Sequence, residues 1–187
     1  MTVTNQTYPN GVNVEQLTDT INAVKDNPAL AKFRFRASTK WIEGGHSRTT
    51  IKSFFGVGQE DTSRSAAFVL DGDEPAVLLG SDKGPNAVES VLQALASCLA
   101  VGFSYNAAAR GITVKSLGFD LEGDIDLHGF LGLSDTIRPG YSGINLTYRV
   151  DCDAPRDQVE ELWAHVQKTS PVLDILRNPV KVTIAES

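Results

Sequence analysis

The sequence predicts an α+β fold in which antiparallel sheets pack around one long central helix. Three observations carry that prediction. Residues 33–73 alternate apolar and polar side chains between glycine-rich and acidic turns. A single long apolar helix follows, and then two strands precede two helices. Strands and helices are therefore grouped, without the strand–helix–strand alternation of a parallel sheet.

Taken in order, residues 14–27 (VEQLTDTINAVKDN) place Val14, Leu17, Ile21 and Val24 at a helical period. Asn27-Pro28 ends that helix, because a residue before proline is pushed out of the α region. FRFRASTKWIEGG, SRTTIKSFFGVG and SAAFVLDGD then read as an antiparallel meander, with Gly44 and Gly45 joining two strands. Gly84-Pro85-Asn86 opens the central helix, with Asn86 as its cap. Val88, Val91, Leu92, Leu95, Leu99 and Phe103 carry it to about Arg110, and Gly111 stops it. A strand is expected from Val114 to His128, with Asp120, Glu122, Asp124 and Asp126 on one solvated face. A second follows, with Ile144, Leu146, Tyr148, Val150 and Cys152 on an apolar face. Asp153-Ala-Pro155 opens an amphipathic helix through Val159, Leu162, Trp163 and Val166. Ser170-Pro171 opens a short one (VLDILRN), and VKVTIAE is expected to close the chain as a strand.

Composition narrows the function. The 187 residues, 41% hydrophobic and 21% charged, suit one globular domain with a real core. A net charge of −6 without a basic run argues against a nucleic-acid partner. The N-terminus has neither the charged nor the apolar region of a signal peptide. The longest apolar run, Val88 to Val101, is interrupted by Glu89, Ser90, Gln93 and Ser97, so no membrane span is expected. A soluble, cytoplasmic protein is the expectation. Two distant cysteines, Cys98 and Cys152, do not make a disulfide scaffold. Together with His46, His128 and His165 they show no metal-ligand spacing, so neither a metal nor a cofactor is expected. Nucleophile-elbow, Walker A, dinucleotide-binding and EF-hand patterns are all missing.

The segment GPNAVESVLQALASCLAVGFSYNAAARGI is the most specific feature. With Gly84, Pro85, Asn86, Glu89 and Cys98 it resembles the OsmC/Ohr family of osmotically inducible and organic-hydroperoxide-resistance proteins. DEPAVLLG before it, GDIDLHGFLGL after it and TSPVLDILRNPV near the end fit an OsmC-like branch. The resemblance covers residues 31–185, which sets an OsmC-like domain at 31–187 apart from an N-terminal helical extension at 1–30. It implies an intertwined homodimer with active sites at the subunit interface. It also implies a peroxiredoxin-like thiol peroxidase, in which a thiolate attacks an organic hydroperoxide and a second cysteine resolves the sulfenate. An Arg paired with a Glu keeps the first thiol ionised.

Those implications single out Cys98, Arg48 and Glu89. In an apolar helix, Cys98 on its own reads as a small core residue; the resemblance makes it the reactive thiol. Sitting mid-helix, it needs a cation from elsewhere. Arg48 in the turn GGHSR is the stronger candidate because it is always charged, with His46 beside it and Arg64 third. Glu89 lies nine residues before Cys98, about 180° round the helix and ~13.5 Å along it, so the two do not meet within one straight helix. Either an Arg bridges them, or they belong to different subunits, or Glu89 serves only its helix N-terminus.

The departure from the family lies in TSPVLDIL. Ser170 stands where peroxidatic members carry the resolving cysteine, and a hydroxyl cannot form a disulfide. Ser170 also suits an N-cap followed by proline. Cys152 reads more simply as a buried strand residue than as a substitute resolver. The expected function is thus a single-cysteine peroxidase regenerated by an external thiol reductant, its pocket lined by residues such as Leu95, Phe103 and Trp163. The alternatives are a non-catalytic homodimer binding a small apolar or acyl ligand, and a peroxide sensor.

Overall fold

The computed structural model describes residues 8–186. Its elements run α1 (Val14–Asp26), β1 (Ser38–Glu43), β2 (His46–Ile51), β3 (Phe54–Gly56), β4 (Gln59–Asp61), β5 (Phe68–Gly72), α2 (Ala87–Ala109), β6 (Val114–Asp124), α3 (Leu127–Phe130), β7 (Gly143–Cys152), α4 (Arg156–Thr169) and α5 (Pro171–Arg177). All strand pairs are antiparallel, and the small sheets with one long helix form the predicted α+β class. The chain divides into two units, Glu15–Val91 and Leu92 onward, the latter including the segment up to Val14.

In the Glu15–Val91 unit, α1 ends where expected, with the Asn27 side chain accepting from the Ala29 N–H. The predicted meander is interrupted. β2 sits between β1 and β5 in one sheet, while β3 and β4 form a separate ladder between β2 and β5 in sequence. Residues 33–37 stay outside regular strands; Arg34 pairs across to Phe55, and the rings of Phe33 and Phe35 stack around Phe54. The sheet carries much apolar surface outward: all six residues of β1 are exposed, Trp41 at 73%. Among the described residues, no large hydrophobic side chain of this unit is buried.

The second unit holds the core. Leu95, Leu99, Phe103 and Ala107 of α2 pack with Leu162, Trp163 and Val166 of α4, at helical spacing on both sides. The β6–β7 hairpin closes over them with Leu117, Phe119, Leu121, Ile144, Leu146 and Val150. Trp163 is clasped by the rings of Tyr148, Phe103 and Phe119 at 4.2, 4.7 and 5.8 Å, and its buried Nε1 has no hydrogen-bond acceptor among the described residues. Gly111 follows α2 at φ +72°, a left-handed backbone suited to glycine. Asn10 ties the N-terminal segment to this turn: its amide donates to the Ile112 carbonyl at 2.9 Å and accepts from the Val114 N–H at 2.8 Å.

Two expectations need correction. β6 stops at Asp124 rather than His128, because the Asp126 side chain accepts from the His128 N–H and starts α3. The acidic row nonetheless faces solvent, with Asp120 paired to Arg149 across the hairpin. Residues 179–186 join no ladder: an extended segment becomes a strand only with a partner, and within the described chain VKVTIAE has none. By length and composition α2 is also apolar enough to span a membrane, with a mean hydropathy of 1.5. Leu95, Leu99 and Phe103 give it one core-facing side, while only 17% of its most apolar window is buried within the chain.

Leu162 is fully enclosed at the centre of this packing. Leu162→Ala is expected to cost about 2–5 kcal/mol of unfolding free energy, measured by denaturant titration.

Candidate functional site

The site begins with a helix break. Pro171 has no N–H to donate, so α4 ends at Thr169 and Ser170 turns extended at φ −74°, ψ 115°. The Ser170 hydroxyl oxygen then accepts from the Leu173 N–H at 3.3 Å and caps α5. The residue is 5% exposed. α4 reaches α2 closely because Gly102 lacks a side chain: a Cβ there would lie 3.1 Å from Val166 Cγ1. One turn before Gly102 on the same helix, Cys98 meets the break between α4 and α5, its Sγ 3.2 Å from Ser170 Oγ.

A groove of about 410 Å³ opens along this contact, lined by Ser97, Cys98, Val101, Gly102, Val166, Thr169, Ser170 and Pro171. The expected lining is thereby corrected. Leu95, Phe103 and Trp163 are core residues, turned away by the helical period that brings Cys98 and Val101 to the groove. Cys98 is half-buried and free, and so is Cys152 at the end of β7, packed against the core opposite Val114.

Arg48 and His46 lie together in the Glu15–Val91 unit. Strand register sets Arg48 opposite Asp71, whose carboxylate accepts from Arg48 Nε at 2.8 Å and contacts His46 Nε2 at 2.9 Å. The Arg48 guanidinium, and then His46, hold the Asp71 carboxyl below its usual range, while Asp71 raises that of Arg48. Beside them Asp73 is buried, accepting from the backbone N–H groups of Glu74, Ser81 and Lys83 at 2.8, 3.1 and 3.2 Å. Burial pushes its carboxyl up, but these donors prevail and hold it low.

Glu89 is engaged at its own helix end. Its carboxylate accepts from the Asn86 N–H at 2.9 Å while its N–H donates to the Asn86 side chain at 2.8 Å, a reciprocal capping box. Arg64 lies over the rings of Phe54 and Phe68. Of the candidates, then, the structure brings Cys98 together with Ser170 and Arg48 with His46, while Glu89 is joined to Asn86. Sequence reasoning missed Asp71 and Asp73. Asp71 shows itself only when the strands are paired, as the opposite charge facing Arg48; for Asp73, whose partners are backbone groups, no signal existed. Among the described residues no cluster of three or more His, Cys, Asp or Glu is placed to hold a metal.

The pH dependence of this region follows from the two lowered carboxyls. A carboxyl lowered by folding stabilises the native chain above its unfolded value and loses that contribution as pH falls through the folded value. The loop from Glu74 to Lys83 is therefore expected to loosen below about pH 4. Amide hydrogen exchange at Ser81 and Lys83 reads this directly, and Asp73→Asn should flatten the acid limb.

Comparison with known proteins gives this geometry its context. The model of the OsmC-like protein family matches residues 80–185. No curated protein matches the chain. Among solved structures, an OsmC-like protein from Mycoplasma pneumoniae superposes with a TM-score of 0.57 at 19% identity, covering 78% of this chain and 89% of that one. An OsmC-like protein of unknown function from Vibrio cholerae gives 0.53 at 13% identity, covering 75% and 92%. The organic hydroperoxide resistance protein OsmC from Legionella pneumophila gives 0.51 at 18%, covering 77% and 89%. The match spans the capped α2, its cysteine and the Ser170 helix break: the chain belongs to the OsmC-like family.

Proposed function

We propose that the protein reduces organic hydroperoxides at Cys98 and is regenerated by an external thiol. One observation carries the reading: in an OsmC-like chain, the sulfur of Cys98 lines an open, largely apolar groove and faces a serine where a resolving cysteine would sit. The hydroperoxide resistance protein from Legionella pneumophila, similar in fold, supports the substrate class. The Cys98 thiolate attacks the terminal oxygen of the hydroperoxide. The O–O bond breaks, sulfur is oxidised by two electrons to the sulfenic acid, and the alkoxide leaves and takes up a proton as the alcohol. A first external thiol condenses with the sulfenic acid, releasing water and forming a mixed disulfide. A second displaces Cys98 as the thiolate. Within the chain Arg48 engages Asp71 and Glu89 engages Asn86; the steps above are written on Cys98 alone.

We further propose a homodimer. Only 17% of the most apolar window of α2 is buried within the chain, Val101 and Tyr105 are exposed on it, and so are Trp41 and Ile42 on β1. An apolar surface of this extent is stable when covered. Analytical ultracentrifugation should give twice the 20.1 kDa chain mass.

The groove also suits an apolar or acyl ligand bound without turnover, and intact mass spectrometry of the native protein would reveal one. Two substitutions separate the readings. Cys98→Ser is expected to abolish consumption of cumene hydroperoxide in the presence of dithiothreitol; unchanged consumption would remove Cys98 from the chemistry. Ser170→Cys is expected to convert the oxidised product from a sulfenic acid, trapped by dimedone, to an intrachain disulfide visible as a loss of two mass units. The 3.2 Å Sγ–Oγ separation puts the two side chains within the reach that a disulfide needs.

A further inference from the structure

Building on the proposed role of Cys98, we infer that the Ser170 hydroxyl donates a hydrogen bond to the Cys98 sulfur and raises its reactivity as a nucleophile. The hydroxyls around the groove are not equivalent. Thr169 Oγ1 donates its proton to the His165 carbonyl at 2.9 Å. Ser97 Oγ is taken up with Gln93, whose amide donates to it at 3.0 Å. Ser170 Oγ accepts from the Leu173 N–H, which fills a lone pair and leaves its own proton to be given. The acceptor within reach is Cys98 Sγ at 3.2 Å. Because Ser170 is almost wholly buried, water does not compete for that proton.

Charge considerations point the same way. The groove is lined from three sides: Ser97, Cys98, Val101 and Gly102 on α2, Val166 and Thr169 on α4, and Ser170 and Pro171 at the start of α5. Apart from Cys98 itself, none of these residues is ionisable. In the first turn of α5, Asp174 is occupied by the Asn178 amide at 2.7 Å. A hydrogen bond to the charged form of a group favours that form, and such a bond strengthens when the acceptor is an anion. The serine thus gives the sulfur a hydrogen-bond donor from within its own chain. After oxidation the same proton is in place for the sulfenate oxygen.

The test separates the hydroxyl from the helix cap. Glycine caps a helix nearly as well as serine but carries no hydroxyl, whereas threonine keeps both. Alkylation of Cys98 by iodoacetamide, followed by peptide mass spectrometry to exclude Cys152, is measured from pH 5 to pH 10. Ser170→Gly is expected to slow alkylation at pH 7 roughly five- to ten-fold and to move the pH–rate profile to higher pH. Ser170→Thr is expected to keep the original profile, while denaturant midpoints check that all variants remain folded. A wild-type profile in Ser170→Gly, or a displaced one in Ser170→Thr with the fold intact, would overturn the inference. Alkylation needs no hydroperoxide. Loss of peroxidase activity as the protein's function would therefore leave this result standing, and the converse also holds.

Discussion

The packing of α4 on α2 is the interaction on which the second unit and its site depend. Leu162, Trp163 and Val166 meet Leu95, Leu99 and Phe103 along one stripe of each helix. Each fully buried side chain of this kind contributes about 1.5–3 kcal/mol, while a typical neutral hydrogen bond contributes about 1. The core therefore sets the spacing of the helices, and the Cys98–Ser170 contact follows from it. Gly102 is the joint between the two roles. It lets Val166 settle against α2, and that closeness brings the end of α4 over Cys98.

Much of this was legible in the sequence because helix ends are local chemistry. Asn27-Pro28, Gly84-Pro85-Asn86 and Ser170-Pro171 mark their boundaries through side chains and proline geometry a few residues apart, and the observed helices begin and end there. The apolar parity of Ile144, Leu146 and Val150 likewise reads directly as a core-facing strand. What was not legible is non-local. Periodicity marks Leu95, Phe103 and Trp163 as apolar but does not say whether they face a core or a groove. Asp71 and Asp73 became visible only once register and loop closure placed their partners. The separate β3–β4 ladder and the unpaired residues 179–186 show the same limit, since a strand is defined by its neighbour.

The two units solve different physical problems. Beyond Leu92, apolar surface is buried against apolar surface. Within Glu15–Val91, order rests on polar geometry: the Arg48–Asp71–His46 cluster, the Asp73 cradle and the capping box at Asn86 and Glu89. Such contacts are directional and hold a loop to one conformation, but surface charge pairs add little net free energy. Each charged candidate in this unit therefore has a structural occupation of its own. In the groove, by contrast, the groups that this chain's described residues place around Cys98 are neutral.

The environment of Trp163 has an optical consequence. The chain has two tryptophans, one in each unit. Trp41 is largely exposed on β1 within its own chain, whereas Trp163 is sealed among three aromatic rings with no acceptor for its indole N–H among the described residues. An indole in a dry, apolar shell emits to the blue of a hydrated one and is shielded from dissolved quenchers. The protein thus carries two spectrally distinct reporters. Fluorescence alone can follow disorder near the Cys98 groove separately from disorder in the β1–β2–β5 sheet.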